Sequence, residues 1–333
     1  MESKVLVRSS PLLASRSRDL RGHLLTFHTP SKDVDAYTET VAKLRPKLSA
    51  IPHRFVVRLD GVRSPKFKWK LPPNVQVFDR PSLQGDEYRV PDSNTTLFVG
   101  WNRIDSAAAA TDANAQMSLT ESVAIRILGL LRQNANVSEI AAEVKLDPGI
   151  QFNIVRYLNA IDVGYAYSGG FKNFEHSIMF MGYKFFTRWM STYLMYSRLE
   201  TASPAIYQLA VTRGRLMESL AHLVEIKPED WDSLYITGVF SLLDRVFGCP
   251  IAEVLSGFDQ NDIIVRTLLG QSTPFSPLLN YVALNDQSND QDLWLHVQEQ
   301  GWCHGDITTS LIDAIDYAQR VDPRGRDQGN AAM

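Results

Sequence analysis

Cysteine is scarce in this chain of 333 residues, and the two that occur, Cys249 and Cys303, stand far apart. Neither belongs to a C-x-x-C pair, so the sequence offers neither a disulfide framework nor a zinc knuckle. Long apolar runs are also lacking, since no window approaches the ~20 residues that a membrane-spanning helix needs. The opening segment, MESKVLVRSSPLLASRSRDLRG, has no continuous apolar stretch typical of a secretory signal. We therefore expect a protein of the reducing cytoplasm that is not inserted into a membrane.

Charge is unevenly distributed along the chain. The net charge of −3 combines 34 Lys and Arg with 37 Asp and Glu. Residues 1–116 hold 18 of the basic and 12 of the acidic residues, whereas residues 117–333 hold the other 16 and 25. Because units of opposite sign attract one another, we expect two parts that can dock together.

Hydrophobic periodicity divides the chain at the same place. The segment 106–116, SAAAATDANAQ, is small, polar and aperiodic, which is typical of a linker. Before it, one helical pattern (KDVDAYTETVAKLRPKL) stands among the strand-like segments HLLTFHT, RFVVRLDGV, NVQVFD and TTLFVGW. These patterns predict a small α/β module over residues 1–105.

Nearly everything after the linker has the period of a helix. Ser118 and Glu121 form a capping-box pattern, and prolines stand at or just before the starts of several later helical windows. We predict an all-α domain over residues 117–320 and a flexible polar tail over 321–333. The predicted fold class is therefore α+β overall, with a small α/β module followed by an all-α, HD-related helical domain.

Three segments of the helical half carry short motifs, and the order of these motifs along the chain is informative. They are LDPGIQFNIVRYLNAIDVGY, then FEHSIMFMGYKFFTRWMS, then a third that runs from YQLAVTRGRLMESLA into GVFSLLDRVFGCPIAEVL. Together they resemble the HDOD family, the HD-related output domain of bacterial signalling proteins, over about residues 117–290. The family often has Ser where this chain has Ala160, and A-I-x-x-L-G where the chain has SIMFMG. These small or size-preserving changes leave the expected fold intact.

The resemblance implies a set of signature residues that shape the domain or contact a partner. In this chain the set comprises Arg156, Asn159, Gly164, Gly182, Trp189, Arg213, Arg215, Glu218 and Asp244. The family is regarded as a non-catalytic relative of the HD phosphohydrolases, used for output or scaffolding.

The ligands of a catalytic HD site are lacking from the sequence. Such a site needs a separate His, an adjacent His-Asp pair and a further Asp around one or two metal ions, which generate hydroxide. No His-Asp dipeptide occurs in the chain, and HGD at 304–306 has the wrong spacing. We expect no metal, no other cofactor and no enzymatic activity, with a metal-dependent phosphohydrolase kept as an alternative.

Asp244 and Arg245 lie side by side in the apolar stretch SLLDRVFG. A buried carboxylate needs hydrogen-bond donors. We therefore predict that Asp244 accepts from backbone N–H groups or from Arg213 or Arg215, while Arg245 faces solvent. The alternative is that Asp244 contributes to a ligand pocket.

A basic tract, VRSPKFKWK (62–70), alternates Lys66, Lys68 and Lys70 with aromatic residues. Such a tract can follow phosphates while its aromatic rings stack on bases. It is also typical of an exposed strand or loop with one apolar face, which is the interpretation we prefer. As a candidate basic surface, it could meet the acidic half of the chain or a partner.

Two further resemblances offer alternatives. NVSEIAAEVKLDPGIQFNIVRYLNAIDVGY is similar to the helix-turn-helix of winged-helix repressors, but the basic wing is missing and this half is acidic. DNA binding is therefore an alternative function, and nucleic acid is not an expected partner. LQGDEYRVPD (83–92) resembles a segment of the EAL domain, the cyclic-di-GMP phosphodiesterase barrel. About 105 residues are too few for that barrel, so the module is either a shortened, inactive remnant or a separate small α/β domain.

Together, the sequence and its resemblance predict a bacterial regulatory protein of signal transduction. We expect it to bind signalling proteins through the helical domain, with cyclic-di-GMP enzymes and sensor kinases as candidate partners. A nucleotide is the other ligand considered for that domain.

Overall fold

The structure is a computed structural model. It describes residues 5–14, 19–62, 70–77, 83–84, 87–89, 96–99, 117–160, 174–197, 204–286 and 290–322. The predicted linker, most of the basic tract, Gly164 and nearly all of the predicted tail lie outside these residues. So do the side chains of Arg156 and Asn159, although their backbone belongs to a helix.

The N-terminal part is built on a seven-stranded sheet with the spatial order β4-β3-β2-β1-β7-β6-β5. β2, β3 and β4 are parallel neighbours, whereas β1 runs antiparallel to both β2 and β7. Helix α1 (Val34–Ala50) connects β2 to β3, and the Asp33 carboxylate caps it by accepting from the N–H groups of its first turn. The strands are β1 (Leu6–Ala14), β2 (Leu20–His28), β3 (Arg54–Leu59), β4 (Val75–Val77), β5 (Leu83–Gln84), β6 (Glu87–Arg89) and β7 (Thr96–Val99).

β1 is absent from the predicted strands, although it occupies the middle of the sheet. Its centre reads Arg8-Ser9-Ser10-Pro11 and has no β-branched or aromatic side chain, so local propensity gives little sign of a strand. Pairing with β2 along nearly its whole length determines its conformation instead.

The remainder of the described chain is helical. Ser118 and Glu121 make both hydrogen bonds of the predicted capping box at the start of α2. The helices are α2 (Leu119–Arg132), α3 (Val137–Val144), α4 (Pro148–Ala160), α5 (Phe174–Met181), α6 (Tyr183–Tyr196), α7 (Pro204–Ser219), α8 (Trp231–Phe240), α9 (Leu243–Phe247), α10 (Ile251–Val254), α11 (Ile263–Leu268), α12 (Ser276–Asp286), α13 (Asp290–Glu299) and α14 (His304–Arg320). The α+β fold class, with an α/β module followed by helices, is thus confirmed.

One hydrophobic cluster crosses the predicted boundary between the two parts. It joins Val7 and Phe27 of the sheet to Leu278 of α12 and Leu311 of α14. Two ion pairs cross in the same direction, Arg8–Asp290 at 2.5 Å and Lys47–Asp313 at 2.6 Å. Each takes its cation from the basic part and its carboxylate from the acidic part, as the uneven charge distribution predicts. The sheet and helices α12–α14 therefore share a core.

A membrane-spanning helix must be both long and apolar. No single one of the described helices is both long and apolar enough to cross a bilayer. One pair, Pro228–Phe247 with Ile251–Gly257, reaches the length and composition only across a bend of 109°.

Candidate functional site

Helix α7 carries three of the predicted signature residues, and it distributes them between two polar clusters. Arg215 and Glu218 meet Arg188 of α6, which defines the Glu218 cluster. Arg213 meets Asp286 of α12, which defines the Asp286 cluster.

Helices α7 and α8 are in close contact at Gly214, which stands between Arg213 of the Asp286 cluster and Arg215 of the Glu218 cluster. A Cβ atom on Gly214 would come within 2.7 Å of the backbone oxygen of Tyr235, and one on Gly238 would come within 2.6 Å of Gly214. Glycine at both positions thus lets the two backbones touch. This close crossing holds α7 in place at Gly214, with Arg213 and Arg215 on either side of it. The sequence pattern alone did not single out either glycine.

The Glu218 cluster is a bidentate ion pair with a second guanidinium added. Arg188 donates from Nη1 to Oε1 of Glu218 at 2.7 Å and from Nη2 to Oε2 at 2.9 Å. Arg215 donates to Oε2 at 2.6 Å. The guanidinium carbon of Arg188 also lies 3.7 Å from the ring centroid of Tyr235, in a cation–π contact.

Two cations on one carboxylate determine how Glu218 titrates. Burial opposes its ionisation, but the hydrogen bonds and charges of Arg188 and Arg215 outweigh burial, so the pKa of Glu218 lies below its ordinary value. Glu218 is therefore ionised at neutral pH, and the cluster ties α6 to α7.

The Asp286 cluster is more deeply buried and reaches the sheet. Arg213 donates from Nε to Oδ2 of Asp286 at 2.7 Å and from Nη1 to Oγ of Ser241 at 2.9 Å. The neighbouring Asn285 accepts from the N–H of Ser9 in β1 at 3.3 Å. Burial raises the pKa of Asp286, and the charge of Arg213 only partly opposes that effect.

Asp244 lies beside the Asp286 cluster. Burial raises its pKa, while hydrogen bonds from backbone N–H groups, that of Arg245 foremost, and the charge of Arg213 oppose the rise. The predicted backbone donors are therefore present, but Oδ1 of Asp244 has no hydrogen-bond partner within the described parts of the chain. Of the two arginines predicted as donors to Asp244, Arg213 donates to Asp286 and Ser241, and Arg215 donates to Glu218. Arg245 is half-buried rather than facing solvent, and burial lowers its pKa.

Gly182 and Trp189 shape the junction of α5 and α6. Gly182 precedes α6 with φ of +73°, a conformation that favours glycine. Trp189 is half-buried and stacks between Phe186 and Tyr193, with ring centroids 6.0 and 5.4 Å apart. These ring contacts place Trp189 in packing between neighbouring aromatic side chains of α6.

The remaining predicted residues can be placed only in part. Lys70 is exposed, while Lys66, Lys68 and Gly164 lie outside the described residues, as do the side chains of Arg156 and Asn159. Arg188, Tyr235 and Asp286 belong to the clusters but were not predicted, because each comes from a different helix and no spacing links it to α7. In the described segments, no group of three or more His, Cys, Asp or Glu is placed to hold a metal ion.

Apolar exposure is concentrated in the first helices of the second part. Eight of the twelve large apolar side chains exposed among the described residues lie between Met117 and Phe185. Phe152 of α4 is 65% exposed, Met179 of α5 56% and Phe185 of α6 41%.

The chain is similar to a curated bacterial protein. No family model matches the chain, and no solved structure matches it significantly. It is 21% identical over 201 residues to the uncharacterized protein YuxH of Bacillus subtilis, an alignment that covers 56% of this chain and 47% of that protein. The chain thus spans about half the length of this curated relative.

Proposed function

We propose that this chain is a non-catalytic, cytoplasmic regulatory protein of bacterial signal transduction, whose HDOD-like helical part binds a signalling protein. The ordered motif set supports the HDOD assignment. Three of the charged residues of that set make ion pairs between helices or within α7, namely Arg213, Arg215 and Glu218. These residues would then shape the domain, and a different surface would meet the partner.

The exposed apolar side chains of α4, α5 and α6 carry the proposal. Monomeric proteins rarely leave many large apolar side chains exposed together, and aromatic residues and methionine are enriched where proteins bind one another. Phe152, Met179 and Phe185 have this chemistry. The expected partner is a signalling protein, a cyclic-di-GMP enzyme or a sensor kinase, that offers an apolar surface of its own.

The helix-turn-helix alternative is less well supported by these residues. Helices α3 and α4 are present and joined by a short turn, as that motif requires. Yet α4 exposes Phe152 and Val155 (47%), where a helix that reads DNA would present polar or basic side chains. These apolar groups favour a protein partner over nucleic acid.

Site-specific photo-crosslinking in the full-length chain tests the proposal. A photoreactive amino acid at Phe152, Met179 or Phe185 is expected to capture the same signalling protein in native cells, identified by mass spectrometry. Lys43 on α1, 61% exposed and remote in sequence, is the control position. Phe152→Asp should abolish the crosslink from position 185 while the thermal unfolding curve stays unchanged.

Two results would reject this function. One is equal capture of the same proteins from position 43. The other is a crosslink to duplex DNA that weakens steeply with salt, which would favour the helix-turn-helix alternative.

A further inference from the structure

A polar row crosses three strands of the sheet. Arg8 of β1 lies directly opposite Thr26 of β2, and Thr26 lies opposite Arg58 of β3. Residues opposite one another in adjacent strands project from the same face, so these three side chains form one row. A hydroxyl thus stands between two guanidinium-bearing residues.

The row lies on the face of the sheet that α1 does not cover. Alternation along the strands puts it with Leu24 and Val56, which form a small apolar cluster with residues of β1, β6 and β7. Leu25 and Phe27, which point the other way, pack with α1.

The row also lies near the carboxyl ends of the parallel strands. Thr26 is close to the end of β2 and Arg58 to the end of β3. This is the edge at which open parallel α/β sheets and α/β barrels bind their ligands.

Thr26 and Gln76 on this face each have a buried side-chain oxygen that accepts or donates no hydrogen bond within the described part of the chain. The side-chain oxygen of Thr26 is buried and has no hydrogen-bond partner among the residues that the structure describes, and Thr26 is 0% exposed. Gln76 lies opposite Val56 in the next row, and its Oε1 is likewise buried without a hydrogen-bond partner among the described residues. Buried polar groups are nearly always paired in native proteins, so an unpaired one requires an explanation.

A carboxylate of the protein itself already occupies one end of the row. Asp290, the first residue of α13, accepts from Nε of Arg8 at 2.5 Å. Arg8 also donates from Nη1 to the hydroxyl of Ser10 at 2.6 Å. The Trp294 ring of α13 meets His28 at the end of β2, with centroids 5.6 Å apart, so α13 lies against this edge.

We propose that the Arg8–Thr26–Arg58 row is a binding site for a small oxyanion, the phosphate or carboxylate group of a ligand. In the ligand-free protein, Asp290 holds the place of one ligand oxygen. Guanidinium groups bind such oxyanions through paired N–H donors. The hydroxyl of Thr26, which has no partner within the described residues, donates to a further ligand oxygen.

Titration calorimetry of the full-length chain tests this site, with inorganic phosphate and acetate as separate probes. Asp290→Asn removes the competing charge while keeping the side-chain shape. It is expected to raise the affinity for the preferred probe at least tenfold, and the more strongly bound probe identifies the source of the oxyanion. Asp313→Asn is the matched control, since it removes an equal charge that pairs with Lys47 of α1 and not with the row.

Thr26→Val provides a second test that does not depend on Asp290. Valine has nearly the same shape and lacks the unpaired hydroxyl, so the melting temperature should stay equal or rise. Affinity for the probe should nevertheless fall at least fivefold, alone or combined with Asp290→Asn. Equal affinities for Asp290→Asn and Asp313→Asn would overturn the proposal, as would unchanged affinity for Thr26→Val or no binding of either probe to any variant.

Discussion

The sheet module and the helical part bury titratable groups in different ways. The helical part buries charges in pairs, as in Arg213–Asp286 and Arg188–Glu218. The sheet shares one such pair with α13, Arg8–Asp290, and also buries imidazoles: His23 lies 2.8 Å from Oγ of Ser9 through Nδ1, and its ring centroid is 5.3 Å from that of His53. Burial, and secondarily His53, lowers the pKa of His23 well below its ordinary value, while burial lowers that of His53 to about 4. Both rings are neutral at pH 7.

The difference follows from whether each side chain can lose its proton at physiological pH. A guanidinium stays protonated at any physiological pH, so a buried arginine needs a carboxylate beside it. An imidazole can lose its proton and then be buried as a neutral group. Mutations should therefore be most damaging in the helical part, and acid should be most damaging in the sheet.

The largest effect is expected from Arg213→Ala. It leaves the buried Asp286 without its guanidinium, and breaking a buried pair costs about 3–5 kcal/mol of unfolding free energy. Urea unfolding at pH 7 measures the loss. Arg213→Ala/Asp286→Ala should recover part of it, because the stranded carboxylate is gone.

Arg21→Ala is the control for this prediction, since its side chain is 58% exposed and lies 3.4 Å from Asp19. We expect a change below about 1 kcal/mol. An Arg213→Ala variant as stable as Arg21→Ala would contradict the importance of buried pairing in the helical part.

The sheet should respond to pH. The unfolded chain protonates His53 near its ordinary pKa of 6.5, whereas the folded chain resists protonation down to about 4. Between these values the unfolded state binds more protons, so stability falls as the pH is lowered from about 6.5 towards 4. The shift corresponds to on the order of 3 kcal/mol for His53.

Urea unfolding at pH 7.5 and pH 5 measures this dependence, and His53→Gln, which cannot titrate, is the matched variant. Its loss of stability between the two pH values should be smaller than that of the wild type. If the two proteins lost stability equally, the neutral state of His53 would not be the source of acid sensitivity.

A smaller effect is expected within the Glu218 cluster. Arg188→Lys keeps the charge but loses the second hydrogen bond to Glu218 and the stacking on Tyr235. We expect a loss of about 1–2 kcal/mol in urea unfolding. Lys184→Ala is the control on the same helix, with a side chain that is 69% exposed, and it should change little. Equal stability of Arg188→Lys and the wild type would mean that charge alone holds this cluster.

The sequence predicts the parts of this molecule that rest on local pattern. Helical periodicity and the Ser118–Glu121 capping box predict α2, and short strand-like apolar runs predict β2 and β3. β1 escapes such prediction because its centre, Arg8-Ser9-Ser10-Pro11, has little strand propensity and its conformation depends on pairing with β2 and β7. The two polar clusters could not be predicted from the sequence for a related reason. Arg213 and Asp286 are 73 residues apart in the chain, and no spacing rule connects them. Motif order indicated that Arg213, Arg215 and Glu218 matter, but only the fold reveals that they divide between two clusters.

The smallest effect is expected from Asp244→Asn. Oδ1 of Asp244 lacks a hydrogen-bond partner among the described residues, and burial already raises the pKa of this carboxyl group. A neutral amide therefore loses little, and we expect a change within about 1 kcal/mol in urea unfolding at pH 7. Asp286→Asn, which leaves Arg213 without its carboxylate, should lose several times more. If Asp244→Asn were as damaging as Asp286→Asn, Asp244 would be a full member of that cluster. If it left stability unchanged but abolished the crosslink from position 152, Asp244 would belong to a ligand or partner pocket, the alternative considered from the sequence.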